Sequence, residues 1–192
     1  MIQLVLAVTL GLAASAFEQT PQPVRVLIET DAGDIEAVIE TARAPITAAN
    51  FLKYVDAGHF DGGRFFRTVR PDNQVEKPVK IAVIQAAANR DRRAAFFPPI
   101  PLERTSATGM SHKDGTLSMA RAAPDTARDS FSICVGDQPA LDFGGARQPD
   151  GQGFAAFGQV VRGMEVVRRI QMAPADGETL TPPIGIIRIR RL

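Results

Sequence analysis

The chain has 192 residues, 45% of them hydrophobic and 22% charged, with a formal net charge of +1. That length and balance suit one domain with a sizeable core. So small a charge gives no basis for nucleic acid or an acidic membrane surface as the main partner, and the clusters Arg90, Arg92, Arg93 and Arg188, Arg190, Arg191 read as solvated surface.

Leu4 to Ala16 is an apolar run ending in Ala14-Ser15-Ala16, a small-x-small cleavage signature, although no Lys or Arg precedes it. The run falls short of the ~20 apolar residues a membrane span needs. It predicts a signal peptide over residues 1–16, a short polar leader over 17–23, and a folded domain over 24–192. The expectation is an exported, periplasmic protein with no stable membrane insertion after cleavage.

Val24 to Thr30 and Asp34 to Glu40 alternate as two strands, and Asp31-Ala32-Gly33 supplies the hairpin turn. Pro45 opens a helix to about Ala57, with Ala48, Phe51, Leu52 and Val55 on one face, and Gly58 stops it. Further strands are predicted over Phe65–Val69, Val79–Gln85, Thr116–Ala120, Phe131–Val135, Phe154–Val161 and Ile184–Ile189, with a second helix over Met164–Gln171. Some eight strands and two helices, closely punctuated by Gly, Pro and Asp, suit a closed antiparallel barrel with the helices at its ends. Residues 86–114 read as a long ordered loop, because Phe96-Phe97-Pro98-Pro99-Ile100-Pro101 cannot form a central strand.

Several chemistries are excluded. Only two histidines are present, His59 and His112; Ser130 and Ser132 have no neighbouring base in sequence, and no Gly-x-Ser-x-Gly elbow exists. One cysteine and two distant histidines make no zinc site, and Asp137, Asp142 and Asp150 lack EF-hand spacing. No Gly-rich stretch has the Lys-Ser or Lys-Thr of a phosphate loop. Cys134 reads as a buried, inert strand thiol. These exclusions point to chemistry without nucleophile, metal or cofactor.

Over Val24 to Leu192 the chain resembles the cyclophilins. Pro45, Thr47, Asn50 and Phe51 fit a P-x-T-x-x-N-F helix; Gly58, Phe60, Asp61 and Gly62 precede Phe65-Phe66-Arg67, similar to the family's F-H-R strand. Ile84-Gln85-Ala86-Ala87 is similar to I-Q-G-G, Gly115-Thr116-Leu117-Ser118-Met119-Ala120 to G-x-L-S-M-A, and Phe157-Gly158-Gln159-Val160 and Gly163-Met164-Glu165-Val166-Val167 to the C-terminal part. The resemblance implies an eight-stranded antiparallel β-barrel capped by two α-helices, with a groove for an X-Pro peptide on its outside. The implied activity is peptidyl-prolyl cis–trans isomerisation during protein folding, by a monomer acting on proline-containing or unfolded polypeptides without cofactor or metal.

An isomerase must favour the twisted amide, in which the proline nitrogen regains its lone pair. The resemblance places the guanidinium that donates to it at Arg67, with Gln85 holding the substrate's carbonyl side. The implied substrate-binding residues are Phe65, Met119, Ala120, Arg121, Ser130, Ser132, Leu141 and Phe154. The chain departs from the family at Ala82 and Ser132, where aromatics are usual, at Ser130 for Gln, at Ala140 for Trp, at Arg121 for Asn and at Phe154 for His; Arg70 to Val79 reads as an insertion. Two aromatic walls are thereby reduced, and Phe154 is expected to restore part of one. The rival reading is a non-catalytic proline-peptide-binding or scaffold module on the same fold.

Overall fold

The computed structural model describes residues 22–192, so the expected signal segment and most of the leader lie outside the described residues. The predicted hairpin is formed by β1 (Val24–Thr30) and β2 (Gly33–Ile39). Gly33 has a φ of 120°, a conformation L side chains rarely adopt. Helix α1 (Pro45–Asp56) follows, with Pro45 in its first turn. The N–H groups of Ile46 and Thr47 donate to the Glu103 carboxylate at 3.0 and 2.6 Å, so a residue far along the chain caps this helix.

The next strands are β3 (Arg64–Val69), β4 (Val83–Ala87), β5 (Thr116–Met119), β6 (Ser130–Cys134) and β7 (Ala155–Arg162). Two short helices precede the last strands in chain order: α2 (Thr105–Thr108), before β5, and α3 (Met164–Gln171), after β7. The two-residue β8 (Ala175–Asp176) and the long β9 (Thr179–Arg191) complete the set. The order β1-β2-β7-β5-β6-β4-β3-β9 returns to β1 through a β1–β9 pairing, closing an eight-stranded barrel, and β8 hangs on β9 as a short hairpin arm. All pairings are antiparallel. α1 packs against β7 and β9, and α3 against β2, β3 and β4.

The barrel is filled by inward-facing aliphatics and by aromatics. Phe51 from α1 meets Phe60, Phe131 and Phe157 with ring centroids 5.3, 5.3 and 5.2 Å away. A second, smaller cluster of Val69, Ile81, Val83, Cys134 and Leu141 is also buried, with Ala140 and Phe154 against it. Cys134 is buried there, and burial pushes its thiol far above the usual range.

Three expectations are corrected. The strand expected over Val79–Gln85 starts only at Val83 and runs to Ala87. The Ile81 backbone is satisfied on both sides by the buried Gln74 amide, and Ala82 N–H donates to Gln138, so side chains replace the ladder there. The strand expected at Ile184–Ile189 spans Thr179–Arg191, with its register to β3 shifting around Pro182 and Pro183. Residues 86–114 are less loop-like than expected, because Ala86 and Ala87 belong to β4 and a 3-10 turn covers Arg90–Ala95 before α2. This segment braces the barrel through Glu103 and through Phe97, whose carbonyl accepts from the Tyr54 hydroxyl at 3.3 Å.

Candidate active site

Strict alternation along β3 would turn Arg67 inward beside the buried Phe65. The β3–β4 register instead slips between Phe65 and Arg67, making Phe66 the extra residue of a β-bulge. Phe65 therefore faces the core and Arg67 faces out, directly opposite Gln85 on β4. Gln85 lies opposite Ser132 on β6, and Ser132 opposite Ser118 on β5. Arg67, Gln85, Ser132 and Ser118 thus form one lateral row across neighbouring strands, where facing Cβ atoms lie ~5 Å apart.

That row floors an open pocket of about 560 Å³ on the outer face of the barrel. Ile81, Val83, Leu141 and Phe154 give it an apolar wall, Ala120 and Arg121 flank it, and the segments Lys77–Val79 and Ala146–Pro149 form its rim. No residue of 88–114 lines it, so the brace segment takes no part.

The Arg67 guanidinium is fixed on two sides. Its Nη1 donates to Gln85 Oε1 at 2.9 Å, and Nε and Nη2 donate to Glu178 Oε2 at 2.8 and 2.5 Å. Glu178 arrives from the turn between β8 and β9. Gln85 is held in turn, its Nε2 donating to Ser130 Oγ at 3.0 Å while Ser130 donates to the Ala86 carbonyl at 2.8 Å. The second hydrogen on each terminal nitrogen of Arg67 stays available to a ligand. A half-exposed, always-charged fork held in this way is a preorganised donor.

The structure sorts the expected substrate-binding residues. Ala120, Arg121, Ser132, Leu141 and Phe154 line the pocket with Arg67 and Gln85. Met119 and Phe65 do not: both are buried in the barrel core, because alternation on β5 turns Leu117 and Met119 inward and Ser118 outward. Ser130 sits behind Gln85 as its support rather than in the pocket wall. Ala82 leaves no gap in the wall, since its neighbours Ile81 and Val83 supply that surface. Arg121 lies over the Phe154 ring, 5.1 Å from its centroid, and is clamped by Asp150 at 2.8 and 2.9 Å and by the Gly153 carbonyl at 2.8 Å.

Sequence reasoning missed a buried relay beneath the pocket. It left His112 without partners, yet the fold places its Nδ1 2.6 Å from Asp142 Oδ1 and its Nε2 2.8 Å from Ser118 Oγ. The Asp142 carboxylate only accepts, so Nδ1 carries the hydrogen and, in the neutral ring, Nε2 accepts from Ser118. With His112 N–H also donating to Asp142 at 3.0 Å, the relay ties the segment bearing Leu141 to the pocket floor. No sequence spacing signals it, because the three residues come from a loop, a strand and a 3-10 exit.

Burial lowers the His112 pKa below the ordinary histidine value, with the Asp142 hydrogen bond and charge opposing. The folded protein therefore binds this proton less readily than the unfolded chain. Stability from this site is complete above about pH 6.5 and is lost as pH falls toward the depressed folded value. Urea midpoints should accordingly fall between about pH 7 and pH 5.5. The His112→Gln variant, uncharged throughout, should be less stable at pH 7 but show a shallower slope; an unchanged slope would remove His112 as its source.

Comparison with known proteins agrees with this geometry. The family model described as cyclophilin type peptidyl-prolyl cis-trans isomerase/CLD matches residues 25–191. Peptidyl-prolyl cis-trans isomerase A of Dickeya dadantii is 34% identical over 152 residues, covering 79% of this chain and 73% of the relative. Peptidyl-prolyl cis-trans isomerase B of Escherichia coli is 31% identical over 147 residues, covering 76% of this chain and 83% of the relative. In fold, the chain is similar to a Cryptosporidium parvum cyclophilin-type isomerase whose crystal structure was determined in the presence of the dipeptide Ala-Pro. That likeness has a TM-score of 0.70 and 20% identity, covering 88% of this chain and 98% of the other. With its closed barrel and an outward arginine beside an apolar pocket, the chain belongs to the cyclophilin-type peptidyl-prolyl cis–trans isomerases.

Proposed function

We propose that this isomerase acts as an exported, periplasmic monomer on exposed X-Pro bonds of unfolded or loop segments, with Arg67 as the donor to the proline nitrogen. The observation that carries the reading is the fixed Arg67 fork beside the apolar wall of the outer pocket, which has room for a proline ring and its neighbours. The proline ring rests against Leu141, Val83 and Phe154. As the amide twists, the lone pair returns to nitrogen, and a free Arg67 hydrogen stabilises it there. Gln85 keeps the fork in plane and offers its second amide hydrogen to a substrate carbonyl. The structure neighbour crystallised with Ala-Pro supports a proline-peptide ligand for this pocket. The apolar run that ends at Ala16 supports export, and no helix among the described residues is long and apolar enough to cross a membrane.

The test is NMR exchange on a short, blocked Ala-Pro peptide. Cis–trans exchange should accelerate at catalytic enzyme concentrations. A folded protein that binds the peptide without accelerating exchange would leave the proline-peptide-binding module instead. Size-exclusion scattering reads the monomer, and fractionation of cells making the full chain reads the location.

Phe154 carries a separate expectation. It stands between the Arg121 guanidinium and the second apolar cluster, half-buried at the pocket wall. Truncating Phe154 to Ala should weaken proline-peptide binding by roughly tenfold, as expected for a partly buried ring. Equal affinities in a peptide titration would show that the wall is made without it.

A further inference from the structure

The charges that line the pocket are all of one sign. Arg67, Lys77, Arg121 and Arg147 are among its lining residues, Arg121 with its side chain buried, and no Asp or Glu lines it. Two of these cations are matched within the protein: Arg67 by Glu178, and Arg121 by Asp150. The other two have no carboxylate partner among the described residues.

Arg147 is the more telling of the pair. It sits in the loop between Leu141 and β7, and its backbone N–H returns to the Ala140 carbonyl at 3.1 Å. Its Nη1 donates to Gln74 Oε1 and to the Val79 carbonyl, both at 2.7 Å. Gln74 is itself buried, its amide fixed by the Arg70 and Ile81 carbonyls at 2.7 Å each. A half-buried guanidinium is thus anchored by neutral acceptors on one nitrogen, while its Nη2 and Nε have no hydrogen-bond partner among the described residues. Burial lowers its pKa from the usual arginine value, the neighbouring Arg67 charge adds to this, and Glu178 opposes it; Arg147 therefore lies within electrostatic reach of the Arg67 centre. Keeping such a cation part-desolvated without a counter-charge is unfavourable, and a carboxylate bound by two of its N–H groups would offset that cost.

We propose that Arg147, with Lys77 on the facing rim, forms a carboxylate subsite beside the proline pocket, so that this isomerase prefers X-Pro segments with an acidic side chain next to the proline. This rests on the proline-peptide reading of the same pocket. Lys77 is exposed and adds a salt-screened attraction, whereas Arg147 supplies the directional contact. Glu178, already bonded to Arg67, does not reverse the sign of the site.

The experiment uses end-blocked peptides of the form Ala-Glu-Pro-Ala and Ala-Ala-Pro-Glu, each beside its Gln isostere. Dissociation constants and exchange rates are measured on the same samples at low salt. In one of the two placements, Glu should be favoured over Gln by about three- to tenfold in affinity and kcat/KM. That ratio should fall to about one in Arg147→Gln and survive in part in Arg147→Lys, with thermal melts confirming that both variants fold. Equal Glu and Gln values in the wild type, or a preference undiminished in Arg147→Gln, would overturn the subsite. If exchange is not accelerated for any peptide but the Glu preference in affinity still depends on Arg147, the catalytic reading fails and the subsite stands. If all peptides are accelerated equally, the reverse holds.

Discussion

Arg67→Ala should lower kcat/KM for exchange of a short Ala-Pro peptide by about 100- to 1,000-fold, the range found when one preorganised donor to a developing charge is removed. The loss should fall mainly on the rate and little on peptide affinity, because the lone pair that Arg67 meets is localised only in the twisted amide. Arg67→Lys should recover little of it. An ammonium can meet Glu178 or Gln85, but it cannot hold the planar fork that keeps one side of the guanidinium on Glu178 and another on Gln85. Thermal melts should change little, since the side chain is part-exposed. A variant that retained wild-type exchange rates would remove Arg67 from the chemistry and leave the row across β3, β4, β6 and β5 as a binding surface only.

A loss of about 3–5 kcal/mol of stability is expected for Phe51→Ala. Its ring is 1% exposed and meets Phe60, Phe131 and Phe157 at once, so its removal opens a void where α1 meets the barrel. For a domain of this size that corresponds to a fall in melting temperature of roughly 6–20 °C. Calorimetry would read it directly, and a shift of only a degree or two would mean the surrounding rings collapse into the space. The isomerase rate per folded molecule should be little changed, because the Phe51 ring lies inside the barrel and the pocket outside.

Residues with periodic patterns could be read from the sequence, and residues placed by exceptions to a pattern could not. The β1–β2 hairpin, α1 and α3 stand close to where alternation and helical spacing put them. Arg67 and Gln85 came from motif resemblance, and they do meet; what turns Arg67 outward is the bulge at Phe66, a one-residue slip that no alternation signals. Met119 was misplaced for the complementary reason. Its motif neighbours suggested the pocket, but the period of two on β5 turns it inward and hands the outer face to Ser118. Glu178, Asp142 and Arg147 stayed unread because each acts across a long sequence separation: Glu178 and Arg67 are 111 residues apart. Gln74 was hidden in a stretch that looked like an insertion, yet its amide does for Ile81 what a strand partner would do.

The pairing of β1 with β9 has a bearing on how the molecule comes into being. Val26 lies opposite Arg191 and Ile28 opposite Ile189, so the ring is sealed between the first and last strands in chain order. While residues 179–191 are still unmade, β1 and β3 each present a bare edge, and the aromatic interior is open along that seam. Closing the barrel therefore requires an end-to-end pairing across the largest sequence separation among its strands, the kind of non-local contact that slows folding. A chain clipped before β9 would be an incomplete ring whose free edges recruit strands from other chains. While immature, the chain thus presents the open strand edges that the finished ring removes.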